Sequence, residues 1–287
     1  MKNQNLAFFI LLFTTFSNLS GQNIIINNKP EYEPAIVYFT DGTSQRGETK
    51  ELIDRGRIYI TDPLKNFKKI EQRFNMTDKK FQFKTFDQGV ITVEIDEVKR
   101  VVLNPDSNNN VEVLDLKKIK TIDPKSKEII ETNLTAWVPL RLQGSKMNMY
   151  AVNFIGKQPT TGQESLVWTQ VYIGNPNEDY VISGIDYNEI NLFNIWNIGE
   201  IYESNLRIIF KDCPLIIEDI ENNSNHDLSK KEIKKYRKEL LKKREKLVDS
   251  IKKFDEEKRK NLLYKFDSNL FKEPFEKYVK MYNNECQ

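Results

Sequence analysis

Few residues in this 287-residue chain are of types that carry chemistry, and their spacing limits what they can do. The one histidine, His226, falls in the Asn-rich stretch 221–227 with no Glu or Cys at ligand spacing, so a zinc-type site is not expected. The same scarcity leaves every serine without a second candidate base, and no Gly-x-Ser-x-Gly elbow occurs. Gly162-Gln163-Glu164-Ser165 lacks the lysine and spacing of a phosphate loop. Paired carboxylates remain: Asp186 with Glu189, and Asp212 with Glu218. Such a pair hydrolyses glycans when it flanks a cleft at about 5–10 Å, but 42 Asp and Glu make any pair unspecific. No catalytic residue, metal ligand or cofactor is assigned. Two cysteines, Cys213 and Cys286, are the last reactive pair. In an oxidising compartment an even pair reads as a disulfide, and two free buried thiols are the alternative. The bridge would close a loop of about 74 residues, worth roughly 4 kcal/mol on the chain-entropy argument.

The compartment is read from the N-terminus. Lys2 is followed by an eleven-residue apolar run, Leu6 to Phe16, and by small or polar residues ending at Gly21 and Gln22. This is the tripartite pattern of a secretory signal peptide at 1–21, cleaved after Gly21. As a helix the run spans about 16 Å, roughly half the hydrocarbon thickness, which argues against an anchor. No cysteine stands near the cleavage site to take a lipid. The expected location is therefore secreted or periplasmic.

Composition is that of a folded chain: 30% charged, 39% hydrophobic and 11% aromatic. The net charge of +2 is unevenly spread. Ser229 to Lys260 carries 15 Lys and Arg against 7 Asp and Glu, an excess of +8 that leaves −6 on the remainder.

The elements that would position these residues divide the chain in two. After a lead-in at 22–34, strand patterns fill 35–188. Ile36 to Thr40 meets Asp41-Gly42, which predicts a two-residue hairpin, and Gly47 in the returning strand predicts a bulge or close approach. Arg57–Thr61, Phe81–Phe86, Val90–Ile95, Val98–Leu103 and Val111–Leu116 alternate with a period of two, separated by turns such as Asp87-Gln88-Gly89. Leu134–Leu142, Met149–Ile155, Leu166–Ile173 and Asp179–Ile185 are further strands, carrying Trp137, Phe154, Trp168 and Tyr172. Asn75 and Asn133 match glycosylation sequons, motifs short enough to arise by chance.

From 189 to 287 the apolar spacing turns helical. Ile190, Phe193, Ile198, Ile201, Leu206, Ile209 and Phe210 lead to Pro214, which suits the first turn of a helix. Ser229 with Glu232 forms a capping box. It opens a basic amphipathic helix, 229–254, striped by Ile233, Tyr236, Leu240, Leu247, Ile251 and Phe254. A break near Asp255 and a last helix from Phe271 to Tyr282, starting near Pro274, complete the region.

Three stretches resemble a group of uncharacterised exported proteins common in Bacteroidota: Val37 to Gly47, Asp179-Tyr180-Val181-Ile182, and Phe210-Lys211-Asp212-Cys213-Pro214-Leu215 with the closing Tyr282 to Cys286. The resemblance implies export and a β-then-α layout, and it implies no activity or catalytic residue. The opening turn and the charged helix from Ser229 to Lys260 depart from the group.

The expected protein is α+β, with an N-terminal antiparallel β-barrel or sandwich and a C-terminal helical region. Its expected function is that of an exported, non-catalytic envelope module whose partner is an envelope protein or glycan. A carboxylate-based glycan hydrolase is one alternative. Another is a peripheral protein held to an anionic membrane surface by Lys230 to Lys260. Nucleic acid is not expected, because seven acids interleave the lysines and stacking aromatics are few. The stripe of the basic helix could also serve coiled-coil pairing with a partner helix.

Overall fold

The computed structural model describes residues 22–25, 32–50, 52, 57–60, 75–76, 79–107, 111–157, 164–185, 198–223 and 230–286. The predicted leader at 1–21, together with Asp186, Glu189, His226 and Ser229, lies outside them. Twelve strands are joined in one sheet. They are β1 Gln22–Ile25, β2 Glu33–Phe39, β3 Ser44–Lys50, β4 Arg57–Ile60, β5 Lys80–Thr85, β6 Gly89–Glu94, β7 Val98–Leu103, β8 Glu112–Ile122, β9 Ile129–Leu142, β10 Asn148–Lys157, β11 Glu164–Gly174 and β12 Tyr180–Ser183. Among the described residues four helices follow: α1 Ile198–Ile209, α2 Pro214–Asn223, α3 Lys230–Ile251 and α4 Glu256–Glu285.

The strands β8 to β12 pair in chain order and then close on themselves, giving a five-stranded barrel. The expected antiparallel pattern holds round the ring except at β12 and β8, which run parallel through Tyr180↔Lys118 to Ile182↔Lys120. The exception is forced: directions cannot alternate around an odd number of strands, so one neighbouring pair must agree. β8 is long enough to serve two partners on that edge. Its first residues, through Asp115, pair with β7, and its later ones pair with β12. From β7 the sheet continues through β2, β3, β5 and β6 as a second lobe. The lead-in at 22–34 supplies strand β1, which sits between β10 and β4.

Three apolar cores result. Val37, Phe81, Phe83, Val101, Leu114 and Trp137 fill the lobe. Ile119, Ala136, Val138, Tyr150 and Val181 fill the barrel. Met149, Ala151, Val171 and Ile173 face outward from the barrel onto Phe210, Ile216, Phe275 and Val279 of the helical region. On β10 the alternation is direct: Tyr150 points in, Met149 and Ala151 point out.

Several local expectations shift. The first hairpin turns through four residues, Thr40 to Thr43, instead of two, because Asp41 accepts from Thr43 N at 2.8 Å and from its hydroxyl at 2.7 Å. Gly47 is a close approach: a Cβ there would meet the Lys84 carbonyl at 2.2 Å. Pro214 opens α2 as predicted. The last helix, however, runs back to Glu256, capped by Asp255, with Pro274 inside it. A proline removes one backbone bond and strains the turn before it. Burial of Phe275, Tyr278 and Val279 in the turn after it holds the helix together.

The helical region is fastened at its end. Cys213, just before α2, and Cys286, the C-cap of α4, form a buried disulfide with Cα atoms 5.4 Å apart. Beside it Asn283 accepts from Lys146 N at 2.9 Å and Met147 N at 3.0 Å, and donates to Met147 O at 2.8 Å. Farther along α4, Ser268 and Thr169 both donate to Asn153, at 2.9 and 2.8 Å, docking the helix on β10 and β11.

Candidate functional site

The strand that joins barrel to lobe also sets charges at their junction. Along β8, Leu114 and Leu116 pack into the lobe core, so Asp115, Lys117 and Ile119 take the opposite face, toward the barrel. That alternation buries two charged side chains, with Asp115 4% and Lys117 5% exposed. Asp115 is fully engaged. Arg100 on β7 donates to it twice, at 2.5 and 3.0 Å, and the Tyr150 hydroxyl donates at 3.0 Å. Asn148 donates to Tyr150 at 3.0 Å and accepts from Gly144 N at 3.0 Å, so the chain of bonds reaches the β9–β10 loop. Burial, seconded by the charge of Asp115, pushes the Tyr150 phenol well up. Tyr150 therefore stays a donor.

Lys117 is placed differently. Its ammonium donates to the backbone carbonyl of Glu178 in the β11–β12 turn. Among the described residues no carboxylate stands within ion-pair distance of it. Burial holds its pKa below the ordinary amine value. Asp115 and Asp179 work against that shift, whereas Lys99 and Arg100 add to it.

In front of Lys117 lies a cleft of about 550 Å³. Its walls come from the turn at Ile95–Glu97 with β7, from β8, and from the β11–β12 turn. Lys79, Lys99 and Lys118 share the lining with Glu94, Asp96, Glu178 and Asp179. Two of these acids are matched: Asp179 by Lys118 at 2.8 Å and Glu94 by Lys80 at 2.5 Å. The volume lies within the range that takes a small polar ligand or a short stretch of a partner. No family model, curated protein or solved structure matches the chain.

The barrel itself offers little room. Its internal cavity is about 40 Å³, lined by Thr121, Thr132, Gln170 and Ser183 among apolar side chains. About three or four waters would fill it, on the measure of roughly 10–15 Å³ for each. Gln170 uses its amide on Ser183 and on the Ile185 carbonyl, both at 2.7 Å. A ligand larger than a few waters does not fit inside the barrel.

The residues singled out in the sequence fall elsewhere. Asp212 and Glu218 are exposed around the start of α2, away from the cleft lining. Asp41 is a turn residue whose carboxyl is held down by the Thr43 hydroxyl and amide. Asp186, Glu189 and His226 lie outside the described residues. The disulfide pair Cys213 and Cys286 is formed as expected. Among the described residues no helix is long and apolar enough to span a membrane.

Arg100, Asp115, Lys117 and Tyr150 were not foreseen. One signal was present: in Val113-Leu114-Asp115-Leu116-Lys117-Lys118-Ile119, Asp115 and Lys117 share a face with Ile119, opposite Leu114 and Leu116.

Proposed function

We propose that this chain is an exported, non-catalytic envelope module that holds a polar ligand or partner segment in the cleft between lobe and barrel. One observation carries the reading: the cleft has binding dimensions and a charged lining, with a buried amine as its most enclosed charged group. Export rests on the leader pattern at 1–21 and on a buried disulfide of the kind kept in oxidising compartments. A glycan hydrolase would need an acid with a raised pKa. Among the described residues the displaced carboxyls, those of Asp41, Asp123 and Asp179, all move down. Their causes are hydrogen bonds that favour the ionised form. None of these three has the raised pKa of a general acid.

The test uses the chain from Gln22 onward as bait on solubilised envelope from its source, beside a cleft-filled variant, Asp96→Trp with Asn177→Trp. Both positions are exposed and line the cleft, so the fold should survive. The expected result is a component retained by the natural chain and lost by the variant. Identical capture by the two would reject the cleft.

A second reading has its own observation. Along α3, Lys238, Lys242, Lys243 and Lys246 are exposed, and Leu241 is exposed beside them. This favours contact with anionic headgroups. Co-sedimentation with anionic vesicles that fades as salt rises is expected; its absence at low salt would dismiss the membrane role.

A further inference from the structure

We infer that the cleft recognises a compact oxyanion, a carboxylate or phosphate group, seated against Lys117 with Lys99 beside it. The inference rests on the cleft being the binding site and adds the chemical class of what enters.

Lys117 is the starting point. A buried ammonium is costly unless a carboxylate or another anion faces it. Its one bond is to a carbonyl, the Glu178 oxygen, which satisfies a donor without cancelling a charge. The nearest acid on its own strand, Asp115, is committed to Arg100 and Tyr150. The groups facing Lys117 from the packed elements are Lys99 and Arg100 on β7, Asp115 on β8, and Asp179 in the β11–β12 turn. Asp179 in turn is matched by Lys118 at 2.8 Å. Among the described residues no carboxylate pairs with Lys99 either. Among the described residues, two cations thus stand at an open cleft with no carboxylate in ion-pair contact, an arrangement that concentrates anions.

The acids narrow the ligand further. Asp96 and Glu178 are exposed, whereas Lys117 is the most buried charged residue of the lining. Negative charge spread along a ligand would meet those acids. A single terminal oxyanion on an otherwise neutral or cationic body would pass them and reach the amine.

The experiment follows the Cε signals of lysines in 13C-labelled chain from Gln22 onward, titrated with inorganic phosphate, with acetate, and with chloride at matched ionic strength. An oxyanion at Lys117 should raise its midpoint back toward the ordinary amine range, and chloride should not. A larger shift with phosphate assigns a phosphate-bearing ligand, and a larger one with acetate assigns a carboxylate. Lys117→Met should weaken the preferred anion by about thirtyfold, the scale for losing a buried charge partner. Lys99→Gln, on an exposed position, should weaken it by about threefold. If Lys117→Met fails to fold, the titration and Lys99→Gln still decide. A Lys117 signal indifferent to both anions overturns the inference, as does unchanged affinity in both variants. Loss of capture in the Asp96→Trp, Asn177→Trp chain together with an indifferent Lys117 would leave the cleft standing and remove only the oxyanion.

Discussion

Under the helices, Val171 and Ile173 of the barrel meet Phe210, Ile216 and Val279 in a continuous apolar core closed by the Cys213–Cys286 bond. At the junction with the lobe, the same barrel presents Asp115 and Lys117 to Arg100 and to an open cleft. The first region gains from every group it buries, because apolar area leaves water and a covalent link shortens the unfolded chain's loops. The second carries a buried amine whose desolvation works against folding. The contrast sets a fastened side against the side on which the proposed ligand would sit.

Removing the fastening gives the largest expected effect. Replacing Cys213 and Cys286 by serine should cost about 4 kcal/mol on the loop-entropy argument, read as a lower denaturant midpoint. The cleft titration should be unchanged in whatever fraction stays folded. Loss of anion binding in a folded double variant would show that the two sides are coupled.

Next comes the boundary between them. Tyr150→Phe removes the donor at 3.0 Å from Asp115 and leaves Asn148 without its acceptor. A cost of about 2 kcal/mol is expected for buried polar groups left unmatched, measured by urea unfolding. A cost near zero would mean that Arg100 alone satisfies Asp115.

Lys117→Met sharpens the comparison by its sign. The folded pKa of Lys117 lies below the ordinary 10.5. Between those two values the unfolded chain holds a proton that the folded chain does not, so the natural protein gains stability as pH rises through that window. The variant should lack this gain and be the more stable of the two at pH 7, where the buried charge is a burden. Denaturant unfolding from pH 7 to 10.5 measures it. A variant less stable at pH 7, with the same pH slope, would make Lys117 a structural residue.

The smallest effect belongs to the α3–α4 pair. Arg244 meets Asp267 at 3.0 Å with its side chain 44% exposed. Arg244→Ala should cost about 0.5 kcal/mol or less, and less still in high salt. A larger loss, read by thermal unfolding, would mean that the α3–α4 hairpin leans on this one pair.

Much of the scaffold was legible in local patterns. Phe81 to Phe86 and Val90 to Ile95 alternate and meet at Asp87-Gln88-Gly89, and β5 and β6 pair there. On the last helix Phe275, Tyr278 and Val279 stand three and four positions apart and share one buried face, as that spacing implies. Pro274 misled, because a proline's local cost is visible in sequence and the packing that outweighs it is not. The cleft was illegible for a similar reason. Lys117 and Glu178 are 61 positions apart, and their contact exists only because β12 returns to lie beside β8.

Periodicity and turn residues thus indicated, from the chain alone, that strands come first and helices second, and the cysteine pair offered a disulfide that the structure forms. These are short-range matters of backbone preference and of which face is apolar. Ring closure, the parallel seam it imposes, and the burial of Asp115 and Lys117 belong to tertiary structure. They depend on which strand edges meet, and a period of two says which residues share a face without saying what that face will touch.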